Sequence, residues 1–280
     1  MIKIILTTLI LNTFILANIN IAVSIMPEKS FVEAIGGDKV NVSLMVLPGN
    51  SPHTYEPKPS QMKDIAKASL YFAIGVEFEK IWLNKFKHSN KNMKTIELFK
   101  GIKKLSLSSS HNSHHNNHTT AYDPHIWTSP NNVKIIALKI YDTLVKEDSN
   151  NKKYYEKNYE KFLKVIESTD NKIKSILLNK NGAKFMVFHP SWGYFAKDYN
   201  LEQMPIELEG KSPKPRELIE LIKKAKNEQI SAIFTQPEFS DSVAKVMANE
   251  LGIKVIKVSP LAKNWSENLL YIANSIANKD

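Results

Sequence analysis

Hydrophobic and polar positions along the first third of this chain alternate between the periods of strands and helices. Apolar, largely β-branched residues at 19–26 predict a strand. Phe31, Val32 and Ile35 then share one face of a predicted helix, which Gly36 and the next glycine close. A further helix is predicted to start at Pro59-Ser60, and further strands at 42–47, 71–74 and 95–98.

A long helical pattern divides the chain into two halves. It runs from about Tyr154 to Leu178, and at about 1.5 Å per residue it would span on the order of 40 Å. A helix with apolar residues from Val133 to Leu144 precedes it. Beyond it the alternation restarts, with strands predicted at 184–188, 230–235 and 254–258 and helices around 194–195, 219–222, 243–251 and 265–276. Two such halves predict an α/β protein with two parallel-sheet lobes.

The N-terminus has the pattern of a cleavable signal peptide. Lys3 gives a positive start, 4–16 is almost unbroken apolar sequence, and Ala17 is a small residue suited to cleavage. No other stretch approaches the roughly 20 apolar residues that a membrane helix needs. The chain has no cysteine, which excludes a disulfide framework and a lipid-bearing cysteine at the cleavage site. We therefore expect a free periplasmic protein.

These patterns divide the chain into four segments. Residues 1–17 are the expected signal peptide, and 18–149 the N-terminal lobe, which includes a polar histidine-rich loop at 108–120. Residues 150–180 are the expected linker helix, and 181–280 the C-terminal lobe.

Charge alone would suggest a nucleic-acid partner, because the formal net charge is +10. Arg216 is the one arginine among 38 basic residues, and the lysines are scattered along predicted helix faces. Phosphate and base recognition favours the planar guanidinium fork. We interpret the charge as a solvated, lysine-rich surface and expect no nucleic-acid partner.

Histidine is the residue type that suggests chemistry. Three of the 8 histidines lie in distinctive settings, which are Pro-His-Thr-Tyr at His53, Asp-Pro-His-Ile-Trp at His125 and Phe-His-Pro-Ser-Trp at His189. Four others lie in the histidine-rich loop at 108–120, namely His111, His114, His115 and His118. Imidazoles in a chain without cysteine indicate a borderline-soft metal such as zinc.

The predicted strands place the isolated histidines near one another. His53 and Glu77 each follow a strand of the first half, and His189 follows the first strand of the second half. Ligands of open parallel sheets lie beyond the carboxyl ends of the strands, so these side chains are expected to meet in one cleft. Any one of them alone would more often be a hydrogen-bonded loop residue. The neighbouring aromatic residues are either core residues or a dry wall around a metal, namely Tyr55, Trp127 and Trp192.

Taken together, these motifs resemble the zinc-specific periplasmic solute-binding proteins of ABC importers, the ZnuA-like metal-binding receptors. The resemblance covers essentially the whole mature chain. It rests on the Pro-His-x-Tyr loop at 52–55, Pro59-Ser60, Gly75-x-Glu77, the histidine-rich insertion, Asp-Pro-His-x-Trp at 123–127, Phe188-His189 and the Ser-Pro-Leu turn at 259–261.

The resemblance implies two four-stranded lobes joined by a rigid helix, with zinc held between them by His53, His125 and His189. Many relatives carry an aspartate ligand just before the Pro-Leu turn, where this chain has Ser259. The fourth zinc position would then be taken by Glu77 or by water. Three imidazoles and one oxygen donor suit tetrahedral zinc.

The histidine-rich loop permits two interpretations. Asn, Ser and His at this density cannot form a core, so the segment is either a tolerated insertion or a weak zinc collector at the mouth of the cleft. His88, in a lysine-rich helix end, is expected at the surface.

Three alternatives to zinc delivery remain. A manganese or other divalent-metal receptor of the same fold would use more oxygen donors than this histidine set provides. A zinc hydrolase would cast Glu77 as the general base, although the chain has no His-Glu-x-x-His helix. An adhesin or structural protein would bind no metal tightly. We expect a non-enzymatic monomer whose partner is the membrane permease of a zinc importer.

Overall fold

The computed structural model describes residues 18–106, 122–207, 211–230 and 232–277, and these contain two separate four-stranded parallel sheets. The first has the strand order β2-β1-β3-β4 and the second β6-β5-β7-β8. The strands of the first sheet are β1 (Ile19–Val23), β2 (Val40–Leu44), β3 (Leu70–Ala73) and β4 (Lys94–Glu97). Those of the second are β5 (Lys184–Val187), β6 (Glu202–Pro205), β7 (Ala232–Thr235) and β8 (Lys254–Lys257).

Helices connect and flank the strands of both sheets. The first half contains α1 (Met26–Gly36), α2 (Pro59–Lys67), α3 (Glu77–Ser89) and α4 (Pro130–Glu147). The linker is α5 (Lys152–Ile176), and the second half contains α6 (Gly193–Asp198), α7 (Pro215–Asn227), α8 (Ser242–Leu251) and α9 (Trp265–Ala277). The predicted fold class, two parallel-sheet lobes joined by a long helix, is confirmed.

The linker helix α5 is held along its length by helices from both halves. Tyr155, Phe162, Ile166 and Ile173 recur at helical spacing and are buried, which gives one continuous apolar stripe. The helix packs against α1 and α4 from the first half of the chain and against α9 from the second half. This packing connects α5 to elements of both halves of the chain.

Strand β6 has no counterpart among the predicted strands. Its sequence, Glu-Gln-Met-Pro, is mostly polar, and only Met204 is buried. The strand lies at the edge of its sheet and pairs with β5 alone, so one side of its backbone needs no partner strand. A central strand would have shown the apolar run that sequence analysis detects.

Both sheets reverse their strand order at one point, between β1 and β3 in the first and between β5 and β7 in the second. The loops that follow these strands diverge there and leave a crevice at the sheet edge. Glu77 follows β3, and His189 follows β5. The segment 236–239 follows β7. The fold therefore brings these segments to positions where ligands bind in α/β proteins.

Among the described residues, no helix combines the length and apolar character required to cross a membrane. The expected signal peptide at 1–17 and the whole histidine-rich loop at 108–120 lie outside the described residues. The limits assigned to the four segments stay predictions.

Candidate metal centre

A small cavity lies between the two lobes, and all four residues assigned as metal ligands line it. The space available to the centre of a water-sized sphere is ≈ 20 Å³, room for about one water molecule or one ion. The lining also includes Trp127, Gln236, Glu238, Phe239, Pro260 and Leu261, besides His53, Glu77, His125 and His189.

His189 is fixed by contacts on several sides of its ring and backbone. Its Nδ1 lies 2.7 Å from Glu207 Oε1, and the ring stacks on Phe239 with centroids 4.9 Å apart. Gln236 donates from Nε2 to the His189 carbonyl over 2.7 Å. A carboxylate that accepts a hydrogen bond from Nδ1 fixes the tautomer whose Nε2 carries a free lone pair. Glu207 is almost buried, and no signal in the sequence pointed to it.

His125 has the same kind of support from a carboxylate two residues earlier. Asp123 Oδ1 accepts hydrogen bonds from His125 Nδ1 at 2.7 Å and from the His125 backbone N–H at 2.9 Å. The Asp-Pro-His spacing could have indicated this role, because it lets one carboxylate reach both groups. The His125 side chain is only 9% exposed, so its orientation is well defined.

The second lobe holds the segment around His125 in place. Tyr194 Oη donates to the Asp123 carbonyl over 3.2 Å. A Cβ on Gly193 would lie 2.5 Å from Asp123 Oδ2, so the glycine leaves room for the carboxylate. Trp127 Nε1 donates to the Pro260 carbonyl over 2.8 Å, which ties the segment to the loop after β8.

His53 and Glu77 form the more open side of the cavity, with side chains 35% and 30% exposed. His53 Nδ1 lies 3.5 Å from Glu77 Oε2, too far for a good hydrogen bond but close enough for electrostatic attraction. Partial burial lowers the pKa of His53, while Glu77 opposes this and the nearby His189 adds to it. The neutral imidazole that a metal requires is therefore favoured near neutral pH.

Two of the imidazoles are spaced as ligands of one tetrahedral ion. The Nε2 atoms of His53 and His189 are 3.3 Å apart. Two nitrogens bound to tetrahedral zinc at about 2.0–2.1 Å would be separated by about 3.3–3.4 Å. The ring of His125 also lies close to that of His189, with centroids 5.4 Å apart.

The donor set is not fully converged. No group of three or more His, Asp or Glu side chains in the described ranges is already arranged as a complete metal site. His53 and Glu77 are the least buried of the four candidates, so they have the most freedom to move towards a cation.

The three aromatic neighbours fall into different environments. Trp127 is buried and lines the cavity, so it forms part of the apolar wall around the proposed metal position. Trp192 is fully buried away from the lining and is a core residue. Tyr55 is half-buried and donates from Oη to Gln61 Oε1 over 2.9 Å, which stabilises the loop that carries His53.

The wall beside Ser259 contains a carboxylate that sequence analysis did not assign. Ser259 Oγ donates to Glu238 Oε1 over 2.9 Å, and Glu238 lines the cavity. The absence of aspartate at 259 therefore does not leave Glu77 as the one carboxylate of the cavity. Glu77 and Glu238 line it from opposite lobes.

The remaining histidines lie away from this cavity or outside the described residues. His88 is exposed at the end of α3, where its Nδ1 is 2.7 Å from the Asn84 carbonyl oxygen. This confirms the expected surface position. His111, His114, His115 and His118 lie outside the described residues.

The arrangement can hold one cation through nitrogen lone pairs and carboxylate oxygens. Two imidazoles already have the supporting carboxylates that metal-bound histidines usually have. Glu77 could act as a base towards a water bound to such an ion.

Comparisons with known proteins identify the family of this chain. Residues 21–280 match the model of the ZnuA family, described as "Zinc-uptake complex component A periplasmic". A putative metal-binding protein of Treponema pallidum is 29% identical over 254 residues, which cover 87% of this chain and 79% of the relative. The high-affinity zinc uptake system protein ZnuA of Bacillus subtilis is 28% identical over 246 residues, covering 84% and 76% respectively.

A solved structure gives the same result for the fold. The structure described as "Crystal structure of ZnuA" superposes with a TM-score of 0.86 at 42% identity, covering 93% of this chain and 98% of the other. The relatives identified in this way are metal-binding transport proteins rather than enzymes.

Proposed function

This chain belongs to the ZnuA family of periplasmic zinc-uptake components, and from this premise we propose that it captures Zn²⁺ in the periplasm and delivers it to the membrane permease of an ABC importer. The observation that carries the proposal is the 3.3 Å separation of His53 Nε2 and His189 Nε2 in an ion-sized cavity shared with His125.

The proposed ligands are the Nε2 atoms of His53, His125 and His189, with an oxygen donor in the fourth position. Glu77 supplies that oxygen when its side chain turns from His53 Nδ1 towards the ion, and water takes the position otherwise. Asp123 and Glu207 hold His125 and His189 in the tautomer that zinc needs.

Ligand chemistry supports zinc over manganese. Three imidazoles form a nitrogen-rich set, whereas manganese prefers carboxylate, carbonyl and water oxygens. Copper would bind such a set more tightly than zinc, so selectivity against copper depends on its supply rather than on the site. Delivery of manganese or another divalent metal is the second candidate function, and Glu77 with Glu238 is the feature that favours it.

The histidine-rich loop adds an accessory function to the proposal. His111, His114, His115 and His118 would bind zinc weakly and raise its concentration near the cavity. In this proposal the mature chain acts as a monomer that neither binds nucleic acid nor inserts into the membrane, and its partner is the permease.

Growth under zinc limitation tests the delivery function. A host lacking this chain should grow poorly in chelator-treated medium, and the wild-type gene should restore growth as added zinc does. His189→Ala should not restore it, whereas His88→Ala, which changes a surface imidazole, should. Equal rescue by His189→Ala would contradict the proposal, and rescue by added manganese instead of zinc would favour the second candidate.

A further inference from the structure

Among the described residues of the second lobe, Glu238 is the one carboxylate that lines the cavity. It lies in the segment 236–239, which follows β7 at the point where the sheet reverses its strand order. Loops at such points are where α/β folds contact ligands. Its position is therefore the counterpart of Glu77, which follows β3 at the equivalent point of the first sheet.

The residues on both sides of Glu238 are fixed to His189. Gln236 Nε2 donates to the His189 carbonyl, and the His189 backbone N–H donates back to Gln236 Oε1 over 3.3 Å. Phe239 stacks on the His189 ring at an interplanar angle of 27°. A segment tied to a ligand before and after Glu238 cannot move independently of that ligand.

The carboxylate itself is held from one side. Ser259 Oγ donates to Glu238 Oε1 over 2.9 Å, and the same Oγ accepts from the Leu261 backbone N–H over 3.1 Å. Because an ionised carboxylate can only accept hydrogen bonds, the Ser259 hydroxyl donates its proton to the glutamate. Glu238 Oε2 makes no hydrogen bond within the described part of the chain, so it is free to contact a cation.

Charge gives this carboxylate a role. Counted over the proposed ligands alone, a divalent ion with three neutral imidazoles and one carboxylate has a net charge of about +1, since Asp123 and Glu207 contact the imidazoles rather than the ion. A second carboxylate would bring that charge to about zero.

We propose that Glu238, oriented by Ser259, is an oxygen ligand of the bound metal contributed by the C-terminal lobe. The inference rests on the proposed metal-binding function and extends it. A serine hydroxyl is a poor zinc ligand, but in this arrangement Ser259 orients a carboxylate that is a good one. Each lobe then contributes one carboxylate ligand to the ion. The second oxygen donor also makes the site discriminate less strongly against harder, oxygen-preferring metals than a site of histidines alone would.

Metal titration of purified, metal-free protein tests the assignment. Glu238→Gln should lower the zinc affinity about 10- to 100-fold, the range seen when groups that support metal sites are removed. Ser259→Ala should lower it less, because the carboxylate remains but loses its orientation. The double variant should be no weaker than Glu238→Gln alone, since Ser259 acts through Glu238. Glu250→Gln removes the same charge from an exposed position on α8 and should leave the affinity unchanged.

Cobalt(II) provides a readout that separates ligation from distant charge. Its visible ligand-field bands report the number and type of donor atoms, so Glu238→Gln should change the Co²⁺ spectrum and Glu250→Gln should not. An unchanged spectrum, or equal zinc affinity in the two variants, would overturn the assignment of Glu238. The proposed function has a separate criterion, because it fails only if the wild-type protein binds no zinc tightly or His189→Ala binds as tightly as the wild type.

Discussion

The imidazole of His189 and the carboxylate of Glu207 form a 2.7 Å contact in which both partners are almost buried. A buried carboxylate at Nδ1 holds the ring in one tautomer and one orientation. His125 and Asp123 repeat the arrangement at the same distance. Two of the three proposed imidazole ligands are therefore oriented before any metal arrives.

Removing this support should weaken metal binding without removing a ligand. We expect Glu207→Gln and Asp123→Asn each to lower the zinc affinity about 10- to 100-fold. Competition with a chromophoric chelator measures the change, and circular dichroism checks that the variants fold. Glu250→Gln is the charge-matched control, and equal affinity in all of these proteins would contradict the positioning role.

The metal preference should respond to changes in the oxygen donors. Ser259→Asp adds a charged oxygen beside Glu238 and should shift the preference towards manganese, although repulsion between the two carboxylates limits the gain. Glu77→Ala should cost less than any histidine loss, because water can take the vacated position. Zinc and manganese affinities of the wild type and both variants in one buffer make the comparison. A wild-type preference for manganese, or a Glu77→Ala loss as large as that of His125→Ala, would show that the proposed ligand set is wrong.

The sequence carried enough information for the fold because the central strands of both sheets, β1, β3, β5 and β7, are largely buried. β3, for example, is buried throughout, so its apolar run is evident without any knowledge of its neighbours. β6 escaped detection because its edge position lets polar side chains remain. The long helix α5 was detected from an apolar stripe that only a helix would bury.

The site was only partly predictable for a related reason. His53, His125 and His189 stand out because histidine is scarce and their neighbours are distinctive. Glu207 and Glu238 lie among ordinary loop residues, and their roles depend on contacts with His189 and Ser259 across the fold. Spacing along the sequence does not indicate such pairings, because Glu207 is 18 residues from His189, Glu238 is 21 residues from Ser259, and the partners lie in separate loops.

Deletion of 109–119 tests the role of the histidine-rich loop. We expect one tight zinc site of nearly unchanged affinity to remain, while the weaker zinc equivalents of the intact protein disappear from the calorimetric titration. Loss of the tight site in the deletion variant would mean that a loop histidine is a primary ligand.

A buried pair of carboxylates should make the metal-free protein less stable as the pH rises. Burial raises the pKa of Glu79 to about 7, and burial together with Glu79 raises that of Glu28. Both folded-state pKa values lie above the unfolded value of about 4.3. At a pH between the unfolded and the folded pKa of either group, the native protein therefore holds more protons than the unfolded chain. This contribution to the free energy of unfolding is present at low pH and is lost as the pH rises through about 7.

Glu28→Gln removes one of these titrations, so its stability should fall less between about pH 5 and pH 7.5 than that of the wild type. Urea unfolding at several pH values gives the slopes. Glu33→Gln, an exposed position on the same helix, is the control and should keep the wild-type slope. A Glu28→Gln slope equal to that of the wild type would contradict the raised pKa of Glu28.

Zinc affinity of the histidine variants tests the central claim most directly. Competitive titration of the metal-free wild type should give one tight zinc site in the cavity. His53→Ala, His125→Ala and His189→Ala should each lose that site, because zinc needs its nitrogen ligands together, whereas His88→Ala should bind as the wild type does. Tight zinc binding retained in two of the three cavity variants would contradict the account.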